Sequence, residues 1–120
     1  MIFRPQRILS EFFTLDVTHN DILFRIVIVS YRDKRTRDFA FGKRVKAFPG
    51  VDGAARLKLD RLEVAVELRD LAALPGNRLE ALKGDRTGQY SIRINDQWRI
   101  CFEWPRGVPG PSNVEIVDYH

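Results

Sequence analysis

The chain has 120 residues, of which 44% are hydrophobic and 30% are charged, and its net charge is +4. These values are typical of one globular domain with a modest core. No apolar run approaches the roughly 20 residues that a membrane helix needs, so the sequence predicts no membrane-spanning helix. The single cysteine, Cys101, excludes an internal disulfide. The cysteine and the two histidines are widely separated in the sequence, so they form no recognisable zinc or iron site.

The basic surplus is densest in one stretch, SYRDKRTRDFAFGKRVK, which spans residues 30–46. Residues 1–26 contain three arginines and three acidic residues, so that region is neutral overall. A basic stretch of this kind is typical of a surface that binds nucleic acid or an acidic partner. The alternative is a solvated basic face without a binding role.

The first part of the chain predicts one strand and two helices. The sequence IVIVSY, residues 26–31, is short and rich in β-branched residues, as in a buried strand. The sequence TRDFAF, residues 36–41, predicts a short helix that ends at Gly42. From Gly53 to about Leu68 apolar residues recur with helical spacing, which predicts an amphipathic helix. Its apolar face holds Ala55, Leu59, Leu62 and Val66, and its solvated face holds Arg56, Lys58, Asp60, Arg61, Glu63 and Glu67.

The second part of the chain changes to the alternating pattern of strands after a turn at LPGN, residues 74–77. The sequence RLEAL predicts a short strand, and KGDRTG predicts a loop. Residues 89–94, QYSIRI, and residues 97–104, QWRICFEW, each place their apolar residues on one face. After the turn PRGVPGPS the last strand is NVEIVDYH. A strand, helices and an antiparallel meander predict an α+β fold, with the helices packed on one face of the sheet.

The register of the central hairpin follows from its two apolar faces. They coincide only if Ile92 opposes Ile100, with a tight loop at residues 95–97. That register also sets Arg93 opposite Arg99, which is unfavourable unless something compensates the like charges. We expect one of three arrangements: an anion bound between the arginines, side chains that splay into water, or compensating carboxylates such as Glu103 or Asp118.

One end of this sheet gathers residues that handle protons and phosphates. If the last strand lies beside QWRICFEW, it brings Asp118, Tyr119 and His120 to the end that carries Arg99. Lys83, in the loop before QYSIRI, can reach the same area. Histidine titrates near neutral pH, and arginine and lysine bind phosphate. The group suits RNA cleavage, in which the 2′-hydroxyl attacks the phosphate while the protein moves protons and stabilises charge.

Two stretches, ELRDLAALPGNRLEALKGDRTGQYSIRINDQWRICFEW and VEIVDYH, closely resemble the HigB toxins of the RelE/ParE superfamily. The resemblance covers about Ile28 to His120. Its motifs, PGNRxExLKGDRxGQxSIRxNxQWR and the terminal DYH, are together highly specific. It implies a RelE-like fold and a cytoplasmic type II toxin. Such a toxin cleaves messenger RNA in the ribosomal A site without a metal or another cofactor.

The resemblance also implies partners. They are the ribosome with its messenger RNA, and a HigA-type helix-turn-helix antitoxin. The toxin–antitoxin complex would bind its own promoter DNA through the antitoxin. Two rival functions remain open: inhibition of DNA gyrase, as by ParE-type relatives, and a non-catalytic module that binds RNA or the antitoxin.

By position, the resemblance assigns roles to individual residues. Some members carry a histidine where this chain has Glu80, which we interpret as structural or as an auxiliary base. Cys101 is expected to be a packed residue and not a nucleophile. The implied catalytic residues are Lys83, Arg99, Asp118, Tyr119 and His120. Apart from the resemblance, we expect Arg86 and Arg93 to contact the RNA backbone and not to take part in the chemistry.

The resemblance divides the chain near residue 27. Similar toxins begin at about Ile28, directly after an initiator methionine. Here Val27 occupies that place, and valine is how a GTG start codon appears inside a longer translation. We therefore expect residues 27–120 to form the toxin domain and residues 1–26 to be an amino-terminal extension. That extension is either disordered, derived from an upstream start, or an added helix at ILSEFFTL.

Overall fold

The computed structural model describes residues 28–46, 48 and 50–119. Within them the helices are α1 (Lys34–Ala40), α2 (Asp52–Val64) and α3 (Leu68–Ala72). The strands are β1 (Glu80–Ala81), β2 (Gln89–Arg93), β3 (Trp98–Glu103) and β4 (Ser112–Asp118). Two 3-10 turns lie at Pro75–Asn77 and Gly84–Arg86. The predicted extension, residues 1–26, lies outside the described residues.

The sheet is an antiparallel meander in which each strand pairs with the next one along the chain. Its core face carries Ile92, Ile100 and Ile116, all fully buried. Helices α2 and α3 cover this face, since their buried residues belong to the same apolar cluster. The predicted α+β fold with helices on one face is confirmed. We call the opposite face the outer face; it carries Ser91, Arg93, Arg99, Cys101 and Glu115.

The predicted register of the central hairpin is confirmed, with Ile92 opposite Ile100 and Arg93 opposite Arg99. The turn between the strands supports it. The carboxamide oxygen of Asn95 accepts hydrogen bonds at 2.7 and 2.8 Å from the two main-chain N–H groups that lead into β3. The Asn95 side chain therefore satisfies two main-chain donors of the loop, and the N–H groups of Ile94 and Asn95 donate to the Trp98 carbonyl oxygen at 2.9 and 3.1 Å.

The strand predicted at residues 26–31 is wrong in extent. Residues 26 and 27 lie outside the described residues, and of the others only Tyr31 joins the sheet, through a parallel bridge to Val114. The β-branched composition of residues 26–31 predicted a strand, but it did not indicate which of these residues would pair with another strand. The segment instead follows the edge of β4 through main-chain hydrogen bonds from Val29 to Pro111 (2.8 Å), from Arg32 to Val114 (2.9 Å) and from Val114 to Ser30 (3.0 Å).

Helix α1 is fastened to the edge of β4. It begins where Asp33 Oδ1 accepts a hydrogen bond from the Thr36 N–H at 2.7 Å, an ordinary N-cap. The buried Thr36 hydroxyl accepts in turn from the Ile116 N–H at 3.1 Å. The helix ends at Ala40, and Gly42 follows with a φ of 90°, as the sequence predicted.

The long helix predicted from Gly53 to about Leu68 is wrong at its carboxyl end. Helix α2 stops at Val64, and α3 begins after a break. The break is stabilised because Asp70 Oδ2 accepts from the N–H groups of Val66 and Glu67, at 3.0 and 3.1 Å. Val66, predicted to be apolar and buried, is 63% exposed. The other predicted core residues of this helix, Ala55, Leu59 and Leu62, are buried.

Lys58 was predicted on the solvated face of α2, but the structure buries it. Its Nζ donates to the Gly76 carbonyl oxygen at 3.1 Å and to Asn77 Oδ1 at 2.9 Å. Asn77 is itself fully buried and donates from Nδ2 to the Leu71 carbonyl oxygen at 3.1 Å. Burial, ahead of two neighbouring arginines, lowers the pKa of Lys58. This network ties α2 and α3 to the turn before β1.

Candidate active site

Arg99 is held in one orientation on the outer face of the sheet. Its Nε donates to Ser91 Oγ at 2.8 Å, and its Nη2 donates to the main-chain carbonyl oxygen of Arg78 at 2.9 Å. Glu80 Oε1 lies 3.5 Å from the same Nη2, and the Arg99 side chain is only 15% exposed. Nη1 has no acceptor among the described residues, so its two N–H groups are available to an anion.

The carbonyl oxygen that receives Arg99 belongs to an unusual backbone position. Arg78 ends the 3-10 turn at Pro75–Asn77 in a left-handed conformation, with φ 46° and ψ 56°. A residue with a side chain seldom adopts this conformation unless its surroundings hold it there. Its N–H donates to the Pro75 carbonyl oxygen at 3.2 Å, and the Lys58–Asn77 contact fixes the preceding residues. The core thus sets the direction of the Arg78 carbonyl group.

Tyr119 lies against Arg99, as the sequence predicted. The Arg99 guanidinium carbon is 5.6 Å from the centroid of the Tyr119 ring, within the range of a cation–π contact. The Tyr119 N–H donates to the Gln97 carbonyl oxygen at 2.7 Å, which holds the residue after β4 to the start of β3. The meander therefore brings an arginine and a tyrosine of distant sequence position together.

Asp118 opposes Trp98 across the β3–β4 pair. Its Oδ2 accepts a hydrogen bond from Gln97 Nε2 at 3.1 Å. The sequence places Gln97 at the boundary between the loop and β3, and this contact could not be seen without the register of β4 against β3. That register is the signal that could have found it. His120, the predicted proton-transfer residue, lies outside the described residues.

Lys83 stands apart from this group. It is exposed at the start of the 3-10 turn Gly84–Arg86, and no side-chain hydrogen bond or ion pair of Lys83 occurs within the described part of the chain. Lys83 is the third residue after Glu80, a distance of about 10 Å along an extended chain. The structure therefore brings Arg99, Tyr119, Asp118 and Glu80 to one end of the sheet, and leaves Lys83 on the loop beyond β1.

The opposed arginines do not share one counter-ion. Arg93 pairs with Asp96, while Arg99 lies beside Glu80. The carboxylates expected to compensate them, Glu103 and Asp118, have other partners: Glu103 lies 3.4 Å from Arg32, and Asp118 accepts from Gln97. Carboxylates do compensate both arginines, as one of the three expected arrangements has it, but they are Asp96 and Glu80.

Arg86 reaches the outer face from the loop after β1. Its Nη1 donates to Gln89 Oε1 at 2.9 Å and lies 3.4 Å from Glu115 Oε1. Beneath it, Cys101 is fully buried, and burial is the main cause that raises the pKa of its thiol. Cys101 is therefore a neutral packed residue.

The described residues include no group of three or more His, Cys, Asp or Glu side chains that could hold a metal ion.

Comparison with known proteins identifies the family. Residues 29–120 match the family described as "RelE-like toxin of type II toxin-antitoxin system HigB". The chain belongs to this family of HigB-like toxins. The resemblance read from the sequence is thereby confirmed, and an antitoxin is the partner that such a system implies. No helix in the described part of this HigB-like toxin is long and apolar enough to cross a membrane.

Two curated HigB proteins are similar to this chain. It is 38% identical over 82 residues to Toxin HigB-1 of Vibrio cholerae serotype O1, an alignment that covers 67% of this chain and 86% of that toxin. It is 37% identical over 67 residues to Endoribonuclease HigB of Proteus vulgaris, covering 52% of this chain and 65% of that protein. The second name states an activity on RNA for that relative.

Proposed function

We propose that this HigB-like toxin is an endoribonuclease that cleaves messenger RNA in the ribosomal A site and so stops translation and growth. The observation that carries the proposal is the fixed guanidinium group of Arg99, whose Nη1 has no protein acceptor among the described residues. Donors held in place before the substrate arrives bind a phosphate without the cost of ordering them. The name of the Proteus vulgaris relative supports the same activity.

In the proposed reaction the RNA supplies its own nucleophile. The 2′-hydroxyl group loses its proton, and its oxygen bonds to the adjacent phosphorus. The bond from phosphorus to the 5′-oxygen breaks, and that oxygen takes up a proton. The products are a 2′,3′-cyclic phosphate and a 5′-hydroxyl end. Side chains can move both protons and stabilise the added negative charge, so the proposal requires no metal or other cofactor.

Each proposed residue acts on the phosphate, the base or the transferred protons. Arg99 binds the non-bridging phosphate oxygens. Tyr119, which lies against the Arg99 guanidinium group, stacks on a base or polarises the phosphate. His120, the next residue, moves a proton as acid or base, and Asp118 orients it. Lys83 adds positive charge when its exposed loop meets the RNA.

Arg86 and Arg93 are proposed to contact the RNA backbone on either side of the cleaved bond. Arg86 is paired with Glu115 and Arg93 with Asp96, and the Asp96 side chain is 99% exposed. Ion pairs in contact with solvent contribute little free energy. A phosphate can therefore replace Asp96 at small cost, whereas the Glu115 side chain is only 19% exposed and stays beside Arg86.

The proposed partners are a HigA-type helix-turn-helix antitoxin and the ribosome with its messenger RNA. Promoter DNA is bound only through the antitoxin in the complex. The proposed location is the cytoplasm, where translation occurs. We also propose that residues 27–120 form the toxin domain and that residues 1–26 are an extension. The family match, which begins at residue 29, supports this boundary.

Primer extension on a reporter messenger RNA, with and without ribosomes, tests the proposed function. The unchanged protein should cut within codons only when ribosomes are present. Arg99→Ala and deletion of His120 should abolish the cuts and leave the protein folded and bound by antitoxin, although Arg99→Ala should lower the melting temperature because Ser91 and the Arg78 carbonyl group lose their donor. Arg106→Ala is the matched control, since Arg106 is exposed in the turn between β3 and β4.

Two results would contradict the proposal. Cuts that persist in Arg99→Ala would remove Arg99 from the reaction. No cuts by the unchanged protein, together with growth arrest in cells, would reject RNA cleavage, and a supercoiling assay with DNA gyrase would follow.

A further inference from the structure

A second cationic surface lies outside the proposed cleavage site, along α1 and the loop after it. We call residues 32–46 the basic segment. It contains seven lysines and arginines against two aspartates, a net charge of +5, whereas the whole chain has +4. The other 105 residues therefore sum to −1. The cationic character of this protein belongs to one segment of fifteen residues.

The carboxylates of the basic segment do not neutralise it. Asp38 Oδ2 accepts a hydrogen bond from Lys34 Nζ at 2.8 Å, and its Oδ1 lies 3.6 Å from Arg37 and 3.9 Å from Lys43. The hydrogen bond from Lys34 is the main cause that lowers the pKa of Asp38, so this carboxylate stays ionised near neutral pH. One negative charge is shared among three positive ones, and the excess faces solvent.

Two further cations of the basic segment are open to a partner. Arg44 and Lys46 are exposed and have no ion pair among the described residues. Phe41 lies between them and α1, and its side chain is 67% exposed. The ring contacts Tyr31 edge to face, with 5.9 Å between the ring centroids, which holds it in place. An exposed aromatic ring beside cations is typical of surfaces that stack nucleic-acid bases and bind phosphates.

The basic segment adjoins the outer face of the sheet. The Thr36 hydroxyl group fastens α1 to the β4 backbone. Arg32 lies 3.4 Å from Glu103 and 3.5 Å from Glu115, which connects the start of the segment to the outer face. Strand β4 pairs directly with β3, which carries Arg99, and paired strands lie about 4.8 Å apart. An RNA chain bound at Arg99 can therefore continue over β4 onto the segment.

We propose that the basic segment binds the sugar–phosphate backbone of RNA outside the cleavage site, with Phe41 stacked on an unpaired base. The inference deepens the proposed function and rests on it, because it names how the RNA is held. A protein partner is less suited to this surface, since it would have to bury several cations with matching carboxylates. Phosphates can meet the same cations in solvent, with release of counter-ions.

The test measures binding of the full chain to a fluorescent 2′-O-methyl RNA oligonucleotide by anisotropy, over a series of salt concentrations. This probe cannot be cleaved, because its 2′-oxygen carries no proton. The variant Arg44→Gln/Lys46→Gln removes two cations of the segment. The matched control, Arg69→Gln/Arg106→Gln, removes two exposed cations from α3 and from the β3–β4 turn.

Each phosphate contact to single-stranded RNA contributes about 0.7 to the slope of log affinity against log salt. We expect the slope to fall by about 1.4 in the segment variant and to stay unchanged in the control. Phe41→Ala should weaken binding by roughly 5- to 150-fold, the range of one lost base stack. Phe41→Tyr keeps the ring and should retain the affinity.

Equal slopes for the unchanged protein and the segment variant would overturn the inference. It would also be overturned if Arg44→Gln/Lys46→Gln kept its RNA affinity and lost antitoxin binding, since the segment would then be a protein contact. The salt dependence of binding is measured without cleavage. A smaller slope in the segment variant than in the unchanged protein would therefore support the RNA surface even if primer extension gave no cuts.

Discussion

Arg99 donates a 2.9 Å hydrogen bond to the main-chain carbonyl oxygen of Arg78, a residue in the left-handed backbone conformation. This contact joins the middle of the sheet to the turn before β1. Lys58, on α2, holds the same turn through Gly76 and Asn77. The position of the proposed phosphate-binding group therefore depends on a buried lysine that has no part in the chemistry.

Replacement of Arg99 by lysine tests whether a positive charge alone supports cleavage or whether the hydrogen-bonding geometry of the guanidinium group is also needed. A lysine cannot donate to Ser91 and to the Arg78 carbonyl while it also presents two N–H groups to a phosphate. We expect single-turnover cleavage of ribosome-bound messenger RNA to fall roughly 10²- to 10³-fold, as for loss of one pre-organised donor. Arg106→Lys is the control. Activity within about threefold of the unchanged protein would show that the positive charge alone is sufficient.

Lys58→Met should destabilise the fold. The substitution leaves the Gly76 carbonyl oxygen and the buried Asn77 Oδ1 without their lysine donor. Unpaired buried polar groups cost about 1–3 kcal/mol, so the free energy of unfolding should fall by about that amount in urea. Cleavage should fall too, because the turn carries Arg78. The exposed Lys46→Met is the control, and equal unfolding midpoints would contradict the role of this network.

The lowered pKa of Lys58 predicts a pH dependence of stability. Between that pKa and the ordinary value of 10.5, the unfolded chain holds a proton that the folded chain has released. Stability in this window therefore rises with pH. We expect the unfolding free energy of the unchanged protein to increase relative to Lys58→Met as the pH rises toward 10.5. The raised pKa of Cys101 acts in the opposite direction, but both proteins contain it and the difference cancels it.

Gln97→Ala should impair cleavage with little effect on folding. It removes the amide that donates to Asp118 and keeps the main-chain hydrogen bond to Tyr119. For one solvent-accessible hydrogen bond to a carboxylate, we expect the cleavage rate to fall roughly tenfold. Gln97→Glu places a second carboxylate beside Asp118 and should lower the rate further. Full activity of Gln97→Ala would mean that Asp118 needs no such support.

Cys101 should be unreactive in the folded protein. Its side chain is fully buried, and burial raises the pKa of the thiol, so little thiolate is available. Iodoacetamide followed by mass spectrometry should modify Cys101 only after unfolding in urea, and the treated native protein should keep its activity. Rapid modification of the native protein with loss of cleavage would contradict this arrangement.

The sheet was largely predictable from the sequence. The apolar faces of β2 and β3 coincide in one alignment only, with Ile92 opposite Ile100, because any shift by one residue buries arginine. The closeness of Arg99 and Tyr119 also needed the last strand to pair beside β3, which the sequence left as a condition and the structure supplies. Short-range alternation of side chains was sufficient for the register of β2 and β3 alone.

Contacts that depend on turns were not predictable. Lys58 sits among charged residues of α2, and its burial arises from acceptors on a turn 18 and 19 residues later. The contact of Glu80 with Arg99 depends on the left-handed conformation of Arg78, which the residue type does not favour. The helical spacing through Val66 also continued past the true end of α2, because capping by Asp70 competes with it.

The edge of β4 is covered, and this hinders association of the toxin with copies of itself through that edge. Main-chain groups of residues 29–32 and the Thr36 hydroxyl occupy hydrogen-bonding positions along β4, and the opposite edge strand, β1, is two residues long. An uncovered strand as long as β4 is a template for sheet-to-sheet aggregation. Segment 28–32 therefore shields the edge of β4, so a toxin that began beyond Arg32 would expose its longest strand to other chains.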